Sequence, residues 1–523
     1  MDILLYNFTH LSDPTRRGDF HIAQETRRGD LRIARPQNSS GDFHIARPNQ
    51  AILIRNHLIH AYGEYNLLNV IAYNPIKLDL EGNVLLPAFT DAHTHFLETA
   101  KRHIMLDVSS CTTEESFYNQ LVRYRDSYQN ILKNLGYDKP LQWIKGMGWE
   151  KKTIEKLPNI NIKMLDKVFG DMPVSIASKD LHSSLCNTAA LKSMGLLSNS
   201  SHPLLERSGV VFDRLPCGSF SGFIYENAWT ALDNYIPALS SDLLEKLIQK
   251  QIDKCHRYGL CGVPSIEDIH AAQTISSIAE KTPFYFTWYY LNINPEKRSD
   301  FIYKDHFVKE NRHFRNAGIK LFTDGALGSD TAWMFDSATN TPAQKQILSY
   351  IKTEIALAHA QDIQVAVHAI GDYASYATAS IFKEIHRQNP KDLKHRIEHL
   401  QAVRPEDISL LKEANIHASM QSIHIKDDME TIQKKWHKAK NYSFPIKSIS
   451  KAVELALGSD APVETLNPLE GVKFAVYRQN FIPSEALSLS EALDAYTYKH
   501  HTIANKPITY GLLKKDQIAN LTV

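Results

Sequence analysis

The chain has 523 residues, which is several times the length of one ordinary domain, so we expect more than one compact unit around a large core. Its 59 lysines and arginines nearly balance 58 aspartates and glutamates, and a formal net charge of +1 provides no field that would attract nucleic acid or anionic lipid. Five cysteines without a CxxC pair argue against a disulfide scaffold and favour a reducing compartment.

The start of the chain, MDILLYNFTHLSDP, lacks the basic and apolar regions of a signal peptide. No uncharged apolar run reaches the roughly 18 residues that a membrane span needs. We therefore expect a cytoplasmic protein that acts on a small-molecule substrate, with no nucleic-acid and no membrane partner. The sequence leaves open whether the protein forms a homo-oligomer.

The two ends of the chain are predicted to form one small, β-sandwich-like domain. Three N-terminal segments, MDILLYNF, AILIRNHLIHAYGEYN and IKLDLEGNVLLPAF, place β-branched and aromatic residues between turn signals, and ITYGLLKKDQIANLTV at the C-terminus is similar. Because chain termini often lie close together, we assign residues 1–84 and 505–523 to this composite domain. The repeats RRGDFHIA, RRGDLRIA and SGDFHIA within 15–48 are too short and Arg-rich to bury a face each, which indicates a surface insertion.

Residues 85–504 are predicted to form a (β/α)8 TIM barrel. Eight apolar strand candidates are separated by helix-length segments: 85–95, 260–267, 283–292, 318–324, 363–370, 395–401, 417–422 and 452–460. Alternating strands and helices indicate a parallel α/β sheet, and eight units suit a closed barrel with its catalytic groups at the carboxyl ends of the strands. The long segment between the first two strands, about 97–250, has its own strand and helix signals and is predicted to be an inserted subdomain.

Side chains of the types that bind metals recur near the ends of these strands. They are His93 and His95 in the first, His368 in the fifth, His399 in the sixth and Asp460 in the eighth. Alternate side chains of a strand share a face, so an HxH pair directs both imidazoles the same way. Each residue alone also fits an ordinary core, surface or turn role. As a set they favour a metallohydrolase that binds one or two zinc-like divalent ions.

Lys320 lies in the apolar run GIKLFTD of the predicted fourth strand, where burial of a charged ammonium is costly. Residue chemistry leaves two alternatives open. The side chain could snorkel or pair with Asp324. Its pKa could instead fall far enough for the free amine to react with carbon dioxide, giving a carbamate able to bridge two metals.

Five motifs, DAHTH, GIKLFTDGALGS, VHAIGD, RIEHLQ and GSDAPVE, occur in an order that resembles the amidohydrolase superfamily. The resemblance is to its amidohydrolase 3 branch, which includes YtcJ-like proteins and N-substituted formamide deformylases, and it extends from about residue 51 to the end. It implies a metal site of four histidines, a carbamate and a carboxylate, with Asp460 also acting as general base. The implied ligands are His93, His95, Lys320, His368, His399 and Asp460.

Five further residues lie in stretches similar to this family, near loops expected to face the mouth of the barrel. We predict that they contact substrate: Trp149, His182, Glu226, His424 and Arg478. Each also has a structural alternative. Trp149 could belong to the core, Glu226 and Arg478 could form an ion pair, and the two histidines could be ordinary loop residues.

The main functional hypothesis is hydrolysis of a carbon–nitrogen bond, of linear amide or N-formyl type, through metal-activated water, with Asp460 passing the proton to the departing amine. One alternative is a deaminase of a cyclic amidine. The resemblance implies that such an enzyme would have a glutamate three residues after His368, where this chain has Gly371. The other alternative is a non-catalytic scaffold that has lost metal ligands, whereas all six implied positions are filled here.

Overall fold

In this computed structural model, the structure describes residues 1–10, 50–154, 156–179, 183–197, 211–225, 232, 234–291, 301–337, 339–506 and 509–523. The predicted repeat insertion at 15–48, His182 and Glu226 lie outside the described residues. The chain divides into two compact units, one formed by Met1–Leu97 with Ile252–Val523 and the other by Glu98–Gln251.

The first unit contains the barrel. Its described residues form a parallel sheet of eight strands, each hydrogen-bonded to the next in chain order: Phe89–Thr90, Leu260–Glu267, Tyr285–Tyr290, Phe314–Phe322, Gln364–Ala369, His395–His399, Ile416–Met420 and Leu455–Leu457. Bridges from Thr94 to Ser265 and to Ala461 join the chain after the first strand to both of its neighbours. The sheet is therefore drawn together at its two edges, and the predicted (β/α)8 fold is confirmed.

Burial explains why these segments form a parallel sheet. Leu260–Glu267, His395–His399 and Ile416–Met420 are buried at every position, as expected for strands covered on both faces. The longer helices follow the strands with ordinary caps, for example Thr341 in a capping box with Gln344. Two helices, Phe96–Lys101 and Ser241–Arg257, include residues of both units. The helices that follow in the described part of the first unit are Ile269–Ala279, Pro342–Ala360, Asp372–Gln388, Ile408–Glu413, Ile425–Lys435, Ile446–Ala452, Pro468–Val476, Leu489–Ala495 and Lys499–Ile503.

The prediction of one continuous first strand over 85–95 is wrong. Val84–Pro87 pairs instead with Leu521–Thr522 in a small three-stranded sheet, and Phe89–Thr90 alone joins the barrel. The chain changes partner here: Ala88 N–H donates to Asn520 O, whereas Phe89 N–H donates to Gly259 O. The pattern of apolar residues predicts that this segment is extended. It does not predict that the first half of the segment pairs in one sheet and the second half in another.

The described terminal residues form a four-stranded sheet in the order Leu58–Glu64, Gln50–Arg55, Asp2–Tyr6 and Ile76–Asp79. Side chains alternate between its faces, as the pleat requires. One face packs Leu4, Ala51 and Leu53 against Leu68 of the helix Tyr65–Ile71. The opposite face carries a second apolar cluster: Leu5, Phe8, Ile52, Ile54, Ile59 and Leu85.

The second unit has its own sheet. Its described strands number six, in the order Val211–Arg214, Phe220–Tyr225, Ser183–Cys186, Val174–Ser178, Ile144–Trp149 and Leu106–Asp107. Helices Glu114–Asn134, Lys151–Ile154, Ile162–Phe169 and Thr188–Ser193 belong to the same unit. Its core includes Trp143, Ile162 and Cys186. No helix among the described residues of the chain is long and apolar enough to cross a membrane.

Candidate active site

Predicted metal ligands from three parts of the barrel converge. His93, His399 and Asp460 each offer one ligand atom, and these atoms lie within 4.8 Å of one another. All three side chains are buried. Asp460 Oδ1 also lies 3.3 Å from Nε2 of His95, the same distance as from Nε2 of His93. Both imidazoles of the HxH pair therefore lie close to the same carboxylate oxygen, although the pair follows the first barrel strand and does not lie within it.

His368 completes the histidine cluster from the fifth strand. Its ring centroid lies 4.4 Å from that of His399. Its Nε2 lies 2.9 Å from the carbonyl oxygen of Gly325, which can only accept, so Nε2 carries the proton of the ring. Burial lowers the pKa of His368 to about 3, so the ring is neutral near pH 7 and its Nδ1 keeps a lone pair.

The centre of this cluster is lined by lone pairs. Burial lowers the pKa of His93 to about 4, and Nδ1 of the neutral ring lies 2.7 Å from the carboxylate of Glu398, so Nδ1 carries the proton. Nε2 of His93 is therefore a bare acceptor that faces Asp460 Oδ1, another acceptor, at 3.3 Å. Two such atoms repel unless a cation lies between them. Imidazole nitrogens and carboxylate oxygens are ligands that zinc-like ions accept, so these residues fit a divalent metal.

The backbone at two of these residues is held in an unusual conformation. His399 has φ of 75° and Asp460 has φ of 59°, in the left-handed region that few non-glycine residues adopt. Asp91 holds the adjoining backbone by accepting from His93 N–H at 2.8 Å and from Ser459 N–H at 3.0 Å. Gly458 allows this close approach, because a Cβ there would lie 2.6 Å from His93 N. Such strain is often found at functional sites.

Lys320 is buried in the fourth strand, with 4% of its surface exposed. Burial lowers its pKa to about 8, while the charges of Glu398 and Asp460 act in the opposite direction. It forms no salt bridge with any described residue. The ion pair with Asp324 is not observed, because the Asp324 carboxylate instead accepts from the backbone N–H groups of Ile370 and Gly371, at 3.0 and 2.9 Å.

The amidohydrolase family model matches residues 78–523 of this chain. The chain belongs to the amidohydrolase family. This confirms the resemblance drawn from the five motifs, and it supports the broad assignment of a metal-dependent hydrolase in the amidohydrolase superfamily.

Two relatives and one solved structure show the extent of the similarity. The chain is 26% identical to "Putative amidohydrolase YtcJ" of Bacillus subtilis (strain 168), over 91% of this chain and 90% of that protein. It is 23% identical to "N-substituted formamide deformylase" of Arthrobacter pascens, over 91% and 89%. An uncharacterized metal-dependent hydrolase from Pyrococcus horikoshii OT3 superposes with a TM-score of 0.73 at 20% identity, over 100% of this chain and 97% of that one, which shows a shared fold.

Of the predicted substrate contacts, His424 lies beside the histidine cluster of this amidohydrolase. Its ring lies 6.3 Å from that of His399, and its Nε2 lies 3.8 Å from Asp460 Oδ2. The amide nitrogen of Gln401 lies 3.2 Å from His424 Nδ1 and also donates to Asp428, so Nδ1 accepts and Nε2 carries the proton. This buried N–H has no hydrogen-bond partner among the described residues.

Two further predicted contacts have surroundings of their own. Trp149 is buried in the second unit, where its Nε1–H donates to Ile176 O at 2.7 Å. Arg478 is fully buried after the helix Pro468–Val476, and its Nε donates to Phe481 O at 2.8 Å. That both residues contact substrate stays a prediction.

The sequence interpretation missed two charged residues that precede His399 in the sixth strand. Arg396 is 1% exposed and Glu398 is fully buried, and they form an ion pair in which Arg396 Nη2 lies 2.9 Å from Glu398 Oε2. A signal was present in HRIEHLQ, because charges at positions i and i+2 of a buried strand point to the same side and must find partners there.

Proposed function

We propose that this chain hydrolyses a carbon–nitrogen bond, of linear amide or N-formyl type, in a small molecule. The observation that carries the proposal is the position of the Asp460 carboxylate. One oxygen lies 3.3 Å from Nε2 of both His93 and His95, and the other lies 3.8 Å from Nε2 of His424. The name of the Arthrobacter relative, N-substituted formamide deformylase, supports this class of bond.

The four histidines and Asp460 would hold one or two zinc-like divalent ions. A bound ion of this kind lowers the pKa of water and polarises a carbonyl group. Lys320 would serve as a further ligand after its amine adds to carbon dioxide, which forms a carbamate and releases a proton. The lowered pKa of Lys320, about 8, leaves a fraction of free amine for this step near neutral pH.

Asp460 is suited to accept and pass on a proton. Burial alone would raise its pKa, but the hydrogen bond from His95 acts in the opposite direction, and the pKa lies well below its usual value, so the carboxylate is ionised. In the proposed reaction it takes a proton from water as that water adds to the carbonyl carbon. It then gives the proton to the amine nitrogen as the carbon–nitrogen bond breaks. A carboxylic acid and an amine result.

His424 is proposed to orient the substrate. Gln401 fixes its tautomer, so that the proton is on Nε2, which lies 3.8 Å from Asp460 Oδ2. This N–H would donate to the substrate carbonyl oxygen and stabilise the negative charge that develops there.

The deaminase alternative is less well supported. The position where the resemblance implies a glutamate is Gly371, and a Cβ on this residue would lie 2.0 Å from Trp333 O. Backbone therefore fills the space that a glutamate side chain would need. The scaffold alternative is also less well supported, because the residues it would have lost are present.

The first experiment combines metal analysis with hydrolysis assays. Wild-type protein purified without chelator should contain about one or two equivalents of zinc-like metal, and His93→Ala and Lys320→Ala should contain less. Wild-type protein should hydrolyse a member of a panel of N-formyl and N-acyl amines. Asp460→Asn should lower kcat/KM about 10²- to 10⁴-fold, the usual effect of removing a general base.

Two results would contradict the proposal. One is metal-loaded wild-type protein that releases ammonia from cyclic amidines and leaves every amide of the panel intact. The other is protein that binds no divalent metal. Circular dichroism of each variant would separate a lost ligand from a lost fold.

A further inference from the structure

We propose that Glu398 is a positioning residue: together with Arg396 it sets the tautomer and orientation of His93, and thereby the affinity of the site for its metal. The inference rests on the proposed function in that it takes the cluster of His93 and Asp460 as the metal site. The contact that carries it is Glu398 Oε2 to His93 Nδ1 at 2.7 Å, between side chains that are fully buried and 1% exposed.

The first step concerns the proton of the imidazole. A neutral ring carries one N–H, and a carboxylate can only accept, so Glu398 places that proton on Nδ1. Nε2 is then free to present its lone pair toward Asp460, 3.3 Å away. In the other tautomer Nε2–H would point at Asp460, and no lone pair of His93 would face the metal. Glu398 therefore selects the form of His93 that can bind a metal.

The second step concerns the backbone that carries His93. Arg396 Nη2 donates to the carbonyl oxygen of Ala92, the residue immediately before His93, at 2.8 Å. The same guanidinium binds both carboxylate oxygens of Glu398. Arg396 therefore holds both the backbone that precedes His93 and Glu398, the hydrogen-bond partner of the His93 ring.

A third contact anchors Arg396 deeper in the barrel. Its Nη1 donates to Tyr289 Oη at 3.1 Å, and Tyr289 Oη donates to Gln364 Oε1. Arg396, Glu398, Tyr289 and Gln364 are all buried residues of barrel strands, whereas large aliphatic side chains usually fill a barrel core. These groups form one connected path of hydrogen bonds that ends on His93.

The competing explanation is that Glu398 only balances the charge of Arg396. The two explanations differ in one testable respect. A buried ion pair whose role is structural can often be replaced as a unit by apolar residues of similar size without loss. A residue that sets the tautomer of His93 cannot be replaced in this way, because the partner of Nδ1 disappears with it.

The experiment measures the Zn²⁺ dissociation constant by competition with a chelator, and the visible absorption spectrum after Co²⁺ replaces the native metal. The variants are Glu398→Gln, Glu398→Leu, and Arg396→Met combined with Glu398→Leu. We expect Zn²⁺ affinity to fall about 10- to 100-fold in both variants that carry Glu398→Leu, the usual effect of removing the partner of a metal-bound histidine. Glu398→Gln keeps an acceptor oxygen, so its Zn²⁺ affinity should fall less. The Co²⁺ absorption bands should shift in all three variants.

Tyr289→Phe is the matched control. It removes a contact of Arg396 but touches neither Glu398 nor His93, so Zn²⁺ affinity and the Co²⁺ spectrum should match the wild type even if stability falls. Wild-type affinity in the double variant would overturn the proposal, because the pair would then be structural. If the double variant does not fold, an identical loss of affinity in Glu398→Gln and Tyr289→Phe would overturn it equally.

Neither metal measurement requires a substrate. Weakened Zn²⁺ binding in the Glu398 variants of a protein that cleaves no amide would support the positioning role and contradict the proposed function. If the wild-type protein cleaves an amide and the Glu398 variants bind Zn²⁺ as tightly as the wild type, the proposed function would be supported and the positioning role contradicted.

Discussion

The end of the barrel that carries the histidine cluster and the four-stranded sheet within residues 2–79 bury side chains of opposite character. In the four-stranded terminal sheet, both faces are covered by aliphatic residues such as Leu53 and Ile52, which are fully buried. The barrel end instead buries Lys320, Arg396 and Glu398, all at 4% exposure or less. Apolar burial stabilises without regard to direction, whereas each buried charge needs a partner in one particular place.

The pKa values show how the barrel end meets this requirement. Burial raises the pKa of Glu398, but the Arg396 charge and His93 outweigh it and hold the pKa well below its usual value. Lys320 forms no ion pair within the part of the chain that the structure describes, and burial lowers its pKa to about 8. The Glu398 carboxylate is therefore held in its ionised form, whereas a fraction of Lys320 loses its proton near neutral pH. This difference underlies the roles proposed above for Lys320 and Glu398.

The largest expected effect on stability comes from the terminal sheet. Leu53→Ala removes a fully buried side chain from the cluster with Leu4 and Leu68 and should destabilise the protein by about 2–5 kcal/mol. Metal content should stay at the wild-type value, because none of these residues contacts the cluster of His93 and Asp460. Chemical denaturation and elemental analysis of the same sample would measure both.

Leu67→Ala is the matched control in the neighbouring helix, since this leucine is 65% exposed and should change stability by no more than about 0.5 kcal/mol. A loss of metal in Leu53→Ala under native conditions would show that the two regions are coupled and would undo the contrast between them.

A smaller effect is expected from His395, a buried histidine at the start of the sixth barrel strand that contacts the fifth strand and the helix Pro342–Ala360. His395 Nδ1 accepts from Val365 N–H at 3.0 Å, so its Nε2–H donates to His359 Nδ1 at 2.9 Å. Burial lowers the pKa of His395 to about 3. In the unfolded chain the value is about 6.5, so the unfolded state takes up the proton first as the pH falls. The contribution of His395 is thus fully present above pH 6.5 and declines toward pH 3, by about 1.4 kcal/mol per pH unit.

The test is the stability difference between wild-type protein and His395→Leu. The variant should be less stable at pH 8, because Val365 and His359 lose a partner. This difference should narrow as the pH falls from 6.5 to 5, since only the wild type carries the titrating ring. A difference that stays constant over this range would show that His395 is not held neutral.

The barrel and the candidate metal ligands could be predicted from the sequence, because strand periodicity and the HxH pattern are local signals. Two features were not. Whether Val84–Pro87 joins the barrel or the small three-stranded sheet depends on the C-terminal residues it meets, which lie more than 400 positions away. The role of Glu398 depends on His93, 305 positions earlier in the chain. Local sequence shows that a buried charge needs a partner but does not identify that partner.

The smallest expected effect concerns Trp149, which combines an apolar ring with one polar atom and so lies between the two extremes. Its ring packs edge-on against Phe223 with centroids 5.4 Å apart, and its Nε1–H donates to Ile176 O. Trp149→Phe should lower stability by about 1 kcal/mol through the lost hydrogen bond.

Trp143→Phe is the matched control, because Trp143 Nε1–H donates to Ser175 Oγ at 2.9 Å in the same unit. Denaturation should show similar losses for both, and unchanged stability in Trp149→Phe would contradict its structural role. KM then separates the two residues: a rise in Trp149→Phe alone would support the predicted substrate contact, and equal KM values would assign Trp149 to the core.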